Sequence, residues 1–152
     1  MKLGEALSSL KKEKSRLARL ISTRKENIFV EKGKKPTFDP KNLSEQVNKK
    51  IEEIRKLKIS IQKTNLNTQI QEEKISLAEA IIKVNDLRSK IGDLSKLFEK
   101  KRDPWYIDRD KKEMTSQIDE SIIEDEIEIL ENEKSKLDNM IQMTNWKTNL
   151  SD

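Results

Sequence analysis

The sequence predicts an all-α fold, an antiparallel four-helix bundle made of two helical hairpins, and three observations lead there. First, charged residues make up 39% of the 152 positions against 33% hydrophobic and 4% aromatic, which is enough apolar surface for narrow seams on long helices and too little for a thick globular core. Second, apolar residues recur every three or four positions through four segments, a spacing that a disordered polar tract has no reason to keep. The net charge of +4 is also too small for charge-driven disorder. Third, the chain repeats itself.

Leu3, Leu7, Leu10, Leu17 and Ile21 follow a 4,3 spacing with Lys14 at the skipped position, so residues 3 to about 26 read as a first helix. The stretch IFVEKGKKPTFDP concentrates Gly33, Pro36 and Pro40 and opens on β-prone Ile28, Phe29 and Val30, which predicts an extended connector over 28 to 40. A second helix opens near Asp39, with Pro40 in its first turn, and carries Leu43, Val47, Ile51, Ile54, Leu57 and Ile61 to about Asn67. NTQIQEEKI breaks the pattern. SLAE at Ser76 to Glu79 then has the spacing of a capping box and starts a third helix, with Leu77, Ile81, Val84, Leu87, Ile91, Leu94 and Phe98 as its seam. Pro104 within KKRDPWYIDRDKK marks a second connector. A fourth helix begins at Asp110 or Ser116 and runs through Ile118, Ile122, Ile123, Ile127, Leu130, Leu137 and Ile141 to Trp146.

LGEAL at Leu3 matches LAEAI at Leu77, 74 positions later, and IQKTNLNT at Ile61 matches IQMTNWKT at Ile141, 80 positions later. Residues 1–70 and 75–150 are therefore two copies of helix, connector, helix within one helical domain. IFV at Ile28 has its counterpart in WYI at Trp105, and the two connectors are placed to pair as a short two-stranded ribbon. Antiparallel hairpins bring the start of each odd helix beside the end of the next even one. That geometry gathers Glu5, Thr64, Asn65, Thr68, Glu79, Thr144, Asn145 and Thr148 toward one end. Such residues cap helix ends and complement the macrodipole, which is the first expectation; their appearance in both copies makes a polar ligand or subunit-contact site the sharper one.

Cysteine and histidine are absent, removing thiolate nucleophiles, imidazole bases, disulfides and the commonest zinc ligands together. Glu124, Glu128 and Glu131 have helical spacing, yet di-metal carboxylate bundles also need a Glu-x-x-His element. With no glycine-rich phosphate loop or nucleophile elbow either, the sequence predicts a non-enzyme with no cofactor, metal or catalytic residue. Residues 1–35 carry eleven Lys or Arg and four Asp or Glu, whereas 116–152 carry three and ten. A basic first helix alone would suggest nucleic acid; an acidic fourth helix beside it cancels much of the field and disfavours that reading. Phe29, Phe38, Trp105, Tyr106 and Trp146 are then candidate interface anchors. No apolar run reaches membrane-spanning length and the N-terminus lacks a signal-peptide core, so a cytoplasmic setting is expected.

MKLGEAL, VEKGKKPTFDP, QKTNLNT, SLAEAI and IQMTNWKTNL together resemble the septicolysin family, small helical proteins of bacteria and archaea. The resemblance spans nearly the whole chain, and its most specific parts are the TN at Thr64 and Asn65 and the NW at Asn145 and Trp146. It implies a small helical protein and, through the family's name, membrane activity. The narrow apolar stripes of the helices make that the alternative, behind a helical, coiled-coil-like scaffold or interaction protein that binds itself as a homo-oligomer or takes a protein partner. Ile51, Ile122 and Ile129, which fall off the main seams, motivate the self-association.

Overall fold

A computed structural model describes residues 1–99 and 115–151. It is all-α, in the helical-bundle class, with one very small two-stranded sheet. Four long helices occupy the described residues: α1 (Leu3–Glu26), α2 (Pro40–Asn67), α3 (Leu77–Ser95) and α4 (Glu120–Lys147). The chain divides into two compact units, Met1–Thr68 with Met143–Asp152, and Gln69–Gln142. The last turn of α4 and the residues after it thus belong with the first hairpin.

In the first unit α1 ends where Asn27 folds back, its Nδ2 donating to Thr23 O at 2.8 Å, and α2 begins at Pro40 with Asp39 Oδ1 accepting from Lys41 N at 3.1 Å. Proline loses nothing at that position, because a first-turn N–H has no intrahelical partner. The first unit buries Leu3 and Ala6 of α1 and Leu43, Val47, Ile54 and Ile61 of α2. Each such Leu or Ile contributes about 1.5–3 kcal/mol. The register of α1 differs from the sequence expectation. Leu7 and Ile21 are exposed, Lys14 is exposed, and Glu13 takes the seam position instead. Its carboxylate accepts from Lys50 Nζ at 2.7 Å. Lys50 stands one residue before Ile51, which is left outside the seam. A 4,3 apolar pattern cannot separate these registers where small Ala6 serves as a core residue and charges fill a seam site.

The second unit opens with the sheet: β1 (Gln69–Ile70) pairs antiparallel with β2 (Ile75–Ser76), Gln69 opposite Ser76 and Ile70 opposite Ile75. Lys74, with φ of 55°, turns the chain between them. Ser76 then caps α3 as its spacing predicts, Oγ accepting from Glu79 N at 3.1 Å while Glu79 Oε2 accepts from Ser76 N at 2.7 Å. The core between α3 and α4 centres on Leu87, Ile91 and Leu130, with Leu94 and Ile127 packed against it. Lys83–Glu133 at 3.0 Å, Lys90–Glu126 at 2.9 Å and Arg88–Asp138 at 3.1 Å tie the two helices along their solvent edges, an antiparallel arrangement.

Two boundaries and one pairing depart from the sequence expectation. α3 stops at Ser95 rather than Phe98, with Lys96 N–H turned onto Asp93 and Leu94 carbonyls. α4 begins at Glu120, after both starts the pattern allowed, because Asp119 Oδ1 accepts from Ser121 N at 3.0 Å and ends the preceding turn. Asp39 and Asp119, 80 positions apart, are thus the same cap in the two repeats. The ribbon lies between the repeats, at 69–76, and not between the connectors: Ile28 to Val30 form no strand. Asn27 Oδ1 accepts from Phe38 N at 3.1 Å, closing the first connector on its own base. The WYI counterpart lies outside the described residues.

Candidate functional site

The repeated polar residues of the first unit meet where α1 begins and where α2 and α4 end. Thr64, 1% exposed, donates its hydroxyl to Ser60 O at 2.8 Å and accepts from Ser151 N at 2.9 Å. It therefore fastens the chain that follows α4 to the last turn of α2. Thr68 N donates to Thr64 O at 3.0 Å and Thr148 N to Thr144 O at 2.9 Å, so the two TNxxT motifs end their helices in the same way. The N-terminal residues are stitched to the same place. Lys2 bridges Asn149, Leu3 N donates to Thr148 O at 3.0 Å, Leu150 N to Met1 O at 2.9 Å, and Lys2 Nζ to Lys147 O at 2.8 Å.

Glu5 Oε2 accepts from Lys2 N at 2.7 Å, the role that Glu79 plays for Ser76 in the second unit. Hydrogen bonds from the Ser76 backbone and hydroxyl hold the Glu79 carboxyl below its ordinary range. Lys2 and Asn149 align with Ser76 and Gln69 under the repeat offsets, so one backbone pairing is built twice: once by β1 and β2, once by the two ends of the described chain. Of the residues the sequence grouped, the first unit collects Glu5, Thr64, Asn65, Thr68, Thr144, Asn145 and Thr148, while Glu79 belongs to the other unit. Those whose bonds are described act as helix caps and splices. Asn65 and Asn145 are both buried, and Asn145 Oδ1 is the buried side-chain oxygen without a hydrogen-bond partner among the described residues.

Trp146 lies over Gly4. A Cβ at position 4 would stand 2.9 Å from the indole Cδ2, so only glycine admits the ring this close. The ring still leaves 56% of the residue exposed. Sequence reasoning noted LGEAL against LAEAI and missed that its one glycine faces the repeat's one tryptophan. The aligned residues in the other copy are Ala78 and Leu66, and that paired difference was the available signal.

Two other surfaces stand out. At the tip of the first hairpin Phe29 is 89% exposed, flanked by exposed Ile28 and Val30 and, across the loop, Phe38. Because Asn27 pins both ends of this loop, the apolar tip is held outward on a fixed base. Lys25, Lys32, Lys34 and Lys35 are exposed in the same stretch, as are Glu26 and Glu31, the latter paired with Lys34 at 2.5 Å. In the second unit a groove of about 300 Å³ runs beside the start of α4. Leu94, Phe98, Ile123 and Ile127 form its floor and Glu120, Glu124 and Glu128 its rim. Trp105 and Tyr106 lie outside the described residues. Among the described residues no acidic group of three or more is arranged to hold a metal ion, and no helix is long and apolar enough to cross a membrane.

A family model covers residues 11–150. The chain belongs to DUF6847, a family of unknown function. A crystal structure of a functionally unknown conserved protein from Corynebacterium diphtheriae is similar to this DUF6847 chain over 99% of both, with a TM-score of 0.87 and 25% sequence identity. No curated protein matches. The helical-bundle expectation therefore agrees with a solved relative over its whole length, and neither match bears the septicolysin name.

Proposed function

We propose that this DUF6847 protein is a non-enzymatic helical interaction protein that works as a homo-oligomer. The observation that carries the reading is the apolar row left on the outside of the acidic helix: Ile122 is 60% and Ile129 67% exposed, one heptad apart on α4. Ile51 and Ile59 are likewise exposed on α2. Rows of β-branched residues at heptad spacing on a charged helix are what a partner helix covers, and exposed apolar stripes in a soluble chain favour association. The polar residues that recur in both repeats support the same reading by default, since those with described bonds are engaged in holding helix ends.

Size exclusion coupled to light scattering, at low and moderate salt and with absorbance followed at 260 nm, tests it. A discrete oligomer free of nucleic acid is expected. A monomer carrying 260 nm absorbance that salt removes would replace it with nucleic-acid binding through the basic α1. The membrane-active alternative draws on the septicolysin resemblance and on one observation, Phe29 standing among lysines at a hairpin tip. Dye release from anionic liposomes by the monomeric protein would favour it.

A further inference from the structure

The hairpin tip and the acid-rimmed groove complement each other in both polarity and charge. The tip offers Phe29 with Ile28 and Val30 on a stretch, residues 25–35, whose Lys25, Lys32, Lys34 and Lys35 outnumber Glu26 and Glu31, leaving a net positive charge. The groove offers an apolar floor of Leu94, Phe98, Ile123 and Ile127 beneath Glu120, Glu124 and Glu128, in about 300 Å³, room for an aromatic side chain. We infer that the tip of one copy docks in the groove of a second copy, Phe29 entering between Leu94 and Ile127 while the lysines face the glutamate rim. The inference rests on the homo-oligomer reading and names its contact.

Three features of the two surfaces select this occupant. Tip against tip would set one net-positive loop against another, and groove against groove would set glutamates together, so like charge disfavours pairing either surface with itself. Opposite charge around a desolvated aromatic anchor is the usual anatomy of a binding centre with a polar rim. The tip is also preorganised, because Asn27 bonds both Thr23 O and Phe38 N and holds the loop without a partner. A contact between two different surfaces is heterologous, so copies add head to tail and either close into a ring or extend. Its charged rim makes the association weaken with added salt.

The chain contains no cysteine, which makes site-directed disulfides a clean readout. Single-cysteine chains carrying Val30→Cys and Ser95→Cys, which keep Phe29 and the apolar lining of the groove, mixed and oxidised, are expected to give a cross-linked heterodimer, since a disulfide forms only where Cα atoms come within about 7 Å. Sedimentation velocity from about 10 µM to about 1 mM supplies the second measurement. The wild-type chain is expected to associate, and Phe29→Asp, at a site exposed enough to leave the helical circular dichroism unchanged, to weaken association roughly tenfold or more. A chain with Glu124→Lys and Glu128→Lys should be equally weakened, yet form a 1:1 dimer when mixed with Phe29→Asp, because one intact tip and one intact groove remain. Association of the wild type that Phe29→Asp leaves untouched, or no heterodimer on mixing, overturns the docking while leaving the homo-oligomer reading standing. A wild type that stays monomeric throughout overturns both, and Phe29-dependent binding of that monomer to anionic vesicles would assign the tip to a lipid surface instead.

Discussion

The two hairpins, aligned by the 74- and 80-position offsets of the sequence, fill one seam position in opposite ways. In the first, Glu13 of α1 meets Lys50 of α2. In the second, the aligned residues are Leu87 and Leu130, which with Ile91 make the central apolar cluster of that unit. Lys50 also reaches Glu53 at 2.5 Å and Arg16 reaches Glu13 at 2.6 Å, so the charged version is a four-residue network lying across the hairpin. The opposite exchange occurs one turn away, where Ile54 is buried in α2 and the aligned Lys134 sits on α4 beside Glu131. The alignment therefore keeps the length of α2 in α4, with the Asp39 and Asp119 caps that open them, while leaving individual seam positions free to be apolar or ionic. The lesson is energetic: ion pairs near the surface specify alignment at little net stability, whereas leucines supply stability with little alignment.

Truncation at the aligned position is the strongest way to break this contrast. Leu130→Ala should cost about 2–5 kcal/mol in chemical denaturation, through lost burial and the cavity left behind. Lys50→Ala should cost far less. If the two losses are equal, the charged network is as much a core as the leucines are. Replacing Glu13 and Lys50 together by leucine should raise the denaturation midpoint, and a fall instead would mean that the network is needed for more than alignment.

A smaller effect separates the two helix starts. Gly4→Ala pushes a methyl group into the Trp146 ring and should cost about 1–3 kcal/mol or displace the indole. A Trp105→Phe background isolates the fluorescence of Trp146, whose emission should then shift to the red. Ala78→Gly, the reciprocal change, removes a methyl group from a helix and should cost about 1 kcal/mol with no such spectral change.

Smaller again is the cap. Ser76→Ala should cost about 1 kcal/mol, measured by thermal melting, because the Glu79 N–H loses its acceptor. No equivalent substitution exists at Lys2, which has no side-chain acceptor and donates to Lys147 O instead. The least effect expected is the pH dependence that the Glu13 and Lys50 pair of the first hairpin adds. The hydrogen bond from Lys50 holds the Glu13 carboxyl below its ordinary value of 4.5, and bonds to Glu13 and then Glu53 hold the Lys50 ammonium above 10.5. The Glu13 contribution is fully present above the ordinary value and disappears as pH falls through the lowered one; the Lys50 contribution is lost at the alkaline end, as pH rises through its raised value. Glu13→Gln should flatten the acid limb of the stability profile relative to wild type, leaving only the slope of groups such as Glu79 and Asp119, whose carboxyls are also held low.

Much of the fold was legible because it is local. Pro40 behind Asp39 and the Ser76 to Glu79 capping box each follow from a few neighbouring residues, and both are present as read. The seam of α1 was not, since Leu7 and Ala6 are adjacent and only the facing helix decides which of them is covered. The candidate polar site was legible as a list and not as a role. Thr64 looks like any helix-terminal threonine until Ser151, 87 positions away, donates to its hydroxyl.

By itself the sequence determined the helical class, the duplication, the helix caps at Asp39 and Ser76 and the residues that recur in both copies, because period, capping and self-similarity are properties of short stretches of chain. Only the tertiary structure decided that Glu13 and Lys50 occupy a seam, that Trp146 lies on Gly4, that the ribbon joins the repeats rather than the connectors, and that Phe29 is left outside. Each of those depends on which face of one segment another segment covers, and burial against a distant partner outweighs the few tenths of a kcal/mol by which local propensity prefers one register to the next.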